Sequence, residues 1–137
     1  MTIVVDTGVL FAAIHSDDAN HETCASFLAG LREEMIVPDP VLVELDYFIG
    51  SRSTVEAWLS FAEDVAAGGY TIYPMAGDIL LRAARLQAKY ADLRLGFVDA
   101  SVFVTCQELG ERRVATLDRR HFSVLRGEDG AALEIVP

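Results

Sequence analysis

Five short runs rich in apolar and β-branched residues alternate with segments of helical period along this chain. No other feature constrains its fold as much. Thr2–Val5 stops at Asp6-Thr7-Gly8 and Met35–Val37 at Pro38-Asp39-Pro40, while Tyr70–Tyr73, Arg113–Leu117 and Leu133–Val136 complete the set of expected strands. Between them the spacing predicts helices over Val9–Ile14, Asn20–Leu31, Val41–Ile49, Thr54–Ala67, Asp78–Tyr90 and Val98–Leu109. Pro40 suits the first turn of its helix, Gly50 reads as a C-cap, and Gly68-Gly69 stops the fourth helix. Strands separated by helices require crossover connections, which give a parallel sheet covered on both faces. The expectation is an α/β fold: one three-layer α/β/α domain over residues 1–137 with about five strands.

Composition narrows the class further. A chain of 137 residues that is 52% hydrophobic can bury a core without staples and is too apolar for disorder. Its apolar stretches are broken well short of the ~20 residues a membrane span needs, and no basic segment precedes an apolar one at the start. Cys24 and Cys106 form no CxxC pattern, which removes disulfide scaffolds and zinc modules and suggests the reducing cytosol. Ten of the eleven basic residues are arginine, so chemistry that needs a particular lysine rests on Lys89 alone, whose neighbours do not suit it. The net charge of −10 argues against broad non-specific binding of nucleic acid, which calls for a basic face. It leaves open an enzyme that grips phosphates through bound cations, and it favours a cationic partner.

In open parallel sheets, active sites lie beyond the carboxyl ends of the strands, near the point where strand order reverses. Asp6 and Asp118 directly follow expected strands, Asp99 lies in the first turn of the helix after Gly96, and Glu44 lies one turn into the helix after the second strand. Singly, three of them have structural explanations: Asp6 as an N-cap, Asp99 as a complement to a helix dipole, Asp118 as an Asx-turn residue. Glu44 is harder to dismiss, because Val41, Glu44, Leu45 and Phe48 share one apolar stripe and a carboxylate there needs compensation. Asp46 points the other way, toward solvent. Four converging carboxylates repel one another unless a cation sits among them. Oxygen-only ligation suits Mg²⁺, with Mn²⁺ as substitute, and such sites work mostly on phosphate esters. Thr7 and Thr116 flank two of the acids and could orient a water or ligand.

Asp6-Thr7-Gly8, the helix "VLVELDYFIG", "LGFVDASV" and "VATLDRRHF" together resemble the PIN-domain ribonucleases, and most of all the VapC-type toxins of VapBC toxin–antitoxin systems. The likeness runs over essentially the whole chain, with the motifs in the family's order. It implies a parallel sheet of order 3-2-1-4-5 and metal-dependent endonucleolytic cleavage of structured RNA (ribosomal or transfer RNA), leaving a 3′-hydroxyl and a 5′-phosphate. It also implies that Asp6 and Asp99 are the principal Mg²⁺ ligands, with Glu44 and Asp118 completing the cluster directly or through water. A water activated near the Asp6/Asp99 pair would attack phosphorus in line with the departing 3′-oxygen, with no histidine base. The partners implied are a VapB-type antitoxin, a homodimer and a larger toxin–antitoxin assembly.

Arg119, Arg120 and His121, beside Asp118, form a basic trio suited to RNA phosphates. His15 and His21 read as structural or exposed, Asp17-Asp18 and Glu33-Glu34 as solvated or helix-end charges, and Asp92 as a loop acid ahead of Asp99. The stripe Val55, Trp58, Leu59, Ala62 reads first as core and second as a dimer or antitoxin contact. A phosphoacceptor receiver domain would need a late lysine that this chain lacks. A haloacid-dehalogenase-type phosphatase would need an aspartate where Gly8 stands. The remaining alternative is a catalytically idle PIN-like module that binds RNA or protein, which four filled acidic positions argue against.

Overall fold

A computed structural model describes residues 1–137. Strand β1 (Thr2–Val5) leads into helix α1 (Thr7–Ile14) and α2 (His21–Gly30); β2 (Glu34–Pro38) leads into α3 (Asp39–Arg52) and α4 (Val55–Ala66). Then come β3 (Thr71–Tyr73), α5 (Gly77–Lys89), a single 3₁₀ turn (Ala91–Leu93), α6 (Phe97–Leu109), β4 (Arg113–Ala115), the four-residue α7 (Arg119–Phe122) and β5 (Glu134–Val136). All strand pairings are parallel and the order is β3-β2-β1-β4-β5, as the family resemblance implies. The chain progresses one way from β1 to β3 and the other way from β4 to β5, so right-handed crossovers place helices on opposite faces of the sheet. The reversal falls between β1 and β4, which pair as Val4↔Val114 and Val5↔Ala115.

The core is continuous through the central strands and α6. Ala100, Ser101, Val102, Phe103, Val104, Thr105 and Cys106 are all buried, so α6 is enclosed around its circumference rather than along one stripe. Its two hydroxyls would be costly there unpaired. Ser101 Oγ donates to Val98 O at 2.7 Å and Thr105 Oγ1 to Ser101 O at 2.7 Å, which satisfies both within the helix. This enclosure fixes the start of α6, and with it Asp99.

Three expectations are corrected by the structure. Helix α3 passes through Gly50 and ends at Ser53, whose amide bonds Ile49 O at 2.8 Å. A glycine in the last turn costs too little to stop a helix whose neighbour starts only at Thr54, where Thr54 Oγ1 caps the Ala57 amide at 3.2 Å. The stripe Val55, Trp58, Leu59, Ala62 meets the core only through Trp58: Val55 is 76% and Leu59 56% exposed, and Ala62 is exposed as well. The side of α4 that packs inward instead carries Phe61, which is buried, with Ala57, Trp58 and Val65 against it. Phe61 stacks on Trp58 and meets Tyr70 at a ring separation of 5.1 Å, and these aromatics outweigh the smaller residues in deciding which side turns in. Finally, Glu33 is not simply solvated but pairs with Arg113 across the β1–β4 region of the sheet. No helix is long and apolar enough to cross a membrane.

Candidate active site

Adjacent β1 and β4 deliver Asp6 and the Thr116–Asp118 segment to the same end of the sheet. The Asp6 amide donates to Ala115 O at 2.8 Å, so the ladder between the two strands continues one residue past β1. Asp6 is then the N-cap of α1: its Oδ1 accepts from the Thr7 amide at 2.7 Å, while Oδ2 accepts from Thr116 Oγ1 at 2.7 Å. Thr116 Oγ1 in turn accepts from the Asp118 amide at 3.0 Å, and Asp118 Oδ1 accepts from the His121 amide at 3.0 Å. One hydrogen-bonded line therefore runs Asp6–Thr116–Asp118–His121. The N-cap explanation for Asp6 is correct, and it is also incomplete, since its second oxygen serves the neighbouring strand.

Asp6 is 5% exposed, Asp99 and Asp118 are partly buried, and Glu44 is half-buried on α3. Burial pushes the Asp6 carboxyl up to about 6, despite the opposing bonds from Thr116 and Thr7, and the charges of Glu44 and Asp118 add to the rise. Burial likewise raises Asp99, to about 7, with the Asp6 and Asp118 charges reinforcing it. Desolvation also acts on Asp118, but the bonds from the His121 amide and imidazole outweigh it and hold that carboxyl below its ordinary range. The charges of Asp6 and Asp118 thus act on Asp99, and those of Glu44 and Asp118 act on Asp6. Asp46 is exposed, as expected, and Asp92 is exposed on the 3₁₀ turn.

The basic trio separates. Arg119 and Arg120 are exposed, whereas His121 turns inward: Nδ1 lies 2.7 Å from Asp118 Oδ2 and 3.5 Å from Asp99 Oδ2, and Nε2 lies 3.2 Å from Leu93 O. The bond to Asp118 raises the imidazole above its ordinary range. Helix α7 places it there; four residues long, it carries no periodic signal in the sequence. The other histidines are structural, His15 stacking on Phe11 and His21 Nδ1 meeting Ala12 O at 2.8 Å. Neither cysteine offers a nucleophile, since both are free and buried and burial holds the Cys106 thiol protonated.

The donor set fits a hard divalent cation. Carboxylates with raised proton affinity need positive charge or protons among them. Thr7 Oγ1 is buried and has no hydrogen-bond partner, so a water or ligand beside Asp6 would complete it. One ligand atom each from Asp99, Asp118 and His121 lie within 4.8 Å of one another. Both His121 nitrogens already face acceptors, however, which leaves oxygen as the available ligand atom type, as a hard cation requires.

Known proteins share this arrangement's framework. The PIN domain family matches residues 3–127. Ribonuclease VapC26 of Mycobacterium tuberculosis is 30% identical over 135 residues, spanning 98% of this chain and 100% of that protein. Among solved structures, Mycobacterium tuberculosis VapC20, a Sarcin-Ricin loop cleaving toxin, superposes with a TM-score of 0.80 at 20% identity over 86% of this chain and 91% of its own. VapBC2 from Rickettsia felis, bound to a DNA fragment from its promoter, does so with a TM-score of 0.71 at 15% identity over 100% of both chains. This chain belongs to the PIN-domain family, in its VapC-type branch.

Proposed function

We propose that this chain is the toxin of a type II toxin–antitoxin pair, an endoribonuclease that cleaves structured RNA with Mg²⁺ and so arrests translation. The observation that carries the reading is the meeting of Asp6, Asp99 and Asp118 at the switch point of the sheet, with Glu44 near enough to act on Asp6 and with Asp6 and Asp99 pushed toward neutral pH. The single domain carries the whole activity, in the cytoplasm. Asp6 and Asp99 hold the cation, with Mn²⁺ as a substitute, and Glu44 and Asp118 complete its surroundings. When bound, the cation neutralises the phosphodiester and lowers the pKa of a water.

The chain's own residues do the rest. Thr116 holds one Asp6 oxygen and the Asp118 amide at once, keeping both carboxylates in register with the strand ends. Thr7 Oγ1 orients a water beside Asp6. A carboxylate of the cluster takes the proton of the attacking water as the P–O3′ bond breaks, and the departing 3′-oxygen takes a proton from solvent, leaving a 5′-phosphate and a 3′-hydroxyl. Arg119 and Arg120 on α7, with Lys89, Arg94 and Arg126 on the segments packed beside it, supply exposed cations for flanking phosphates. They offset an acidic net charge that would otherwise repel RNA.

The partner is a VapB-type antitoxin whose basic segment enters the acidic groove, where an arginine meets carboxylates in bidentate fashion. Exposed Val43 and Tyr47 on α3 and Val55 and Leu59 on α4 supply an apolar face for that partner or for the homodimer. Induced expression in a bacterium lacking the antitoxin tests the reading. The parent chain is expected to arrest growth and Asp99→Asn to permit it; equal growth under both would count against a toxin.

A further inference from the structure

His121 stands out because each of its polar groups is committed. Its amide and its Nδ1 bond the two different oxygens of Asp118, at 3.0 and 2.7 Å, which fixes that carboxylate's rotation. Its Nε2 faces Leu93 O at 3.2 Å, in the turn 28 residues earlier in sequence. Both ring nitrogens meet atoms that can only accept, so the ring is a two-ended donor rather than a ligand with a free lone pair.

The far end of this link matters for Asp99. Leu93 is followed by Arg94, which adopts φ +52° and ψ 45°, a left-handed conformation that a non-glycine residue keeps only when its surroundings hold it. Leu95, which is buried, and Gly96 then lead directly into the first turn of α6 and Asp99. A second tie runs in parallel, from the Arg126 amide to Tyr90 Oη at 3.2 Å. The segment ahead of α6 is thus fastened to the segment after β4 at two points, Tyr90 and Leu93, both just before the left-handed Arg94.

We propose that His121 is a positioning residue that clamps the Ala91–Leu93 turn onto Asp118, presetting the fourth carboxylate and the entry to α6 before a cation binds. The inference rests on the metal-site reading above. It assigns His121 to holding the site together rather than to RNA.

The test titrates the full metal-free chain with Mn²⁺ by calorimetry and measures amide hydrogen exchange at Leu93 and Arg94. It compares the parent with His121→Ala, His121→Asn and His121→Gln. An asparagine amide sits near the position of Nδ1 and keeps the Asp118 bond; a glutamine amide reaches toward Leu93 O. His121→Ala is expected to weaken Mn²⁺ binding about 10- to 100-fold, as loss of an outer-shell partner does, and to speed exchange in the turn. Asparagine should recover part of the affinity while exchange stays fast, and glutamine should slow exchange while affinity stays low. A residue that merely supports the fold would not divide the two readouts in this way. Parent-like or tighter Mn²⁺ binding in His121→Ala, or unchanged exchange, overturns the clamp. If the alanine variant does not fold, equal affinity and equal exchange in the other two overturn it. If the parent itself binds no Mn²⁺, the metal-site reading fails, and unchanged exchange in His121→Asn then sinks the clamp separately.

Discussion

At the residue scale the site is defined by carboxylates that cannot all be charged. Asp6, at about 6, and Asp99, at about 7, bind protons more tightly folded than unfolded, where each lies near 3.8. Their contribution to stability is therefore full below about pH 4 and is lost as pH rises to about 7. His121, also raised, loses its contribution over the same direction of pH, while Asp118, lowered, gains only as pH rises through the acid range. The melting midpoint of the chelated protein is expected to fall between pH 5 and 7.5. Mg²⁺ should raise it at pH 7.5 and hardly at pH 5, where protons already occupy the acids. Asp99→Asn should melt higher than the parent at pH 7.5 without metal, by the order of 1–3 kcal/mol, and should lose its response to Mg²⁺. A midpoint that is flat with pH and indifferent to metal would contradict this account. Thr116→Ala removes the shared hydroxyl under Asp6 and Asp118, and urea melts should show a loss of about 1–3 kcal/mol.

At the scale of elements, most of what positions the site was legible. Asp6 and Asp118 announce themselves because each directly follows a strand-like run, and Asp99 because it lies in the first turn of the helix that Gly96 opens, and those boundaries are local chemistry. Glu44 was legible as a charge on an apolar stripe. Helix α4 was legible but its inward side was not, because that side is chosen by Trp58 and Phe61 together with Tyr70 just ahead of β3, and the Val55-to-Ala62 spacing does not contain that information. The corrected orientation has a measurable consequence. Phe61→Ala should cost about 3–5 kcal/mol in denaturant melts, whereas Val55→Ser and Leu59→Ser should each stay within about 0.5 kcal/mol. Comparable losses at Leu59 and Phe61 would return that stripe to the core. Helix α7 was illegible for a different reason: four residues give no period, and only the Asp118 cap onto the His121 amide marks it. The same element places Arg119 and Arg120 outward. Changing both to glutamine in an Asp6→Asn background should weaken RNA binding alike across sequences and reduce the salt slope by roughly one per arginine.

At the scale of the whole molecule, the strand order does what no single residue can. The sequence motif resemblance implied β3-β2-β1-β4-β5, and that order makes β1 and β4 neighbours, so acids more than a hundred positions apart meet at one edge. Fold and site are then linked, since an order that separated β1 from β4 would part Asp6 from Asp118. The chain remains acidic overall, but five of its eleven cations (Lys89, Arg94, Arg119, Arg120 and Arg126) lie on α7 or on the segments before α6 and after β4. An acidic cluster with arginines nearby suits a substrate that brings phosphates and a partner that brings arginine. The most direct measurement is cleavage of total cellular RNA by the purified chain, free of antitoxin, with Mg²⁺ or chelator, beside Asp6→Asn and Asp99→Asn. Discrete fragments with 5′-phosphate ends, lost with chelator and in both variants, are the predicted result. Intact RNA from folded parent protein in Mg²⁺, or cleavage that survives in both variants, would contradict it.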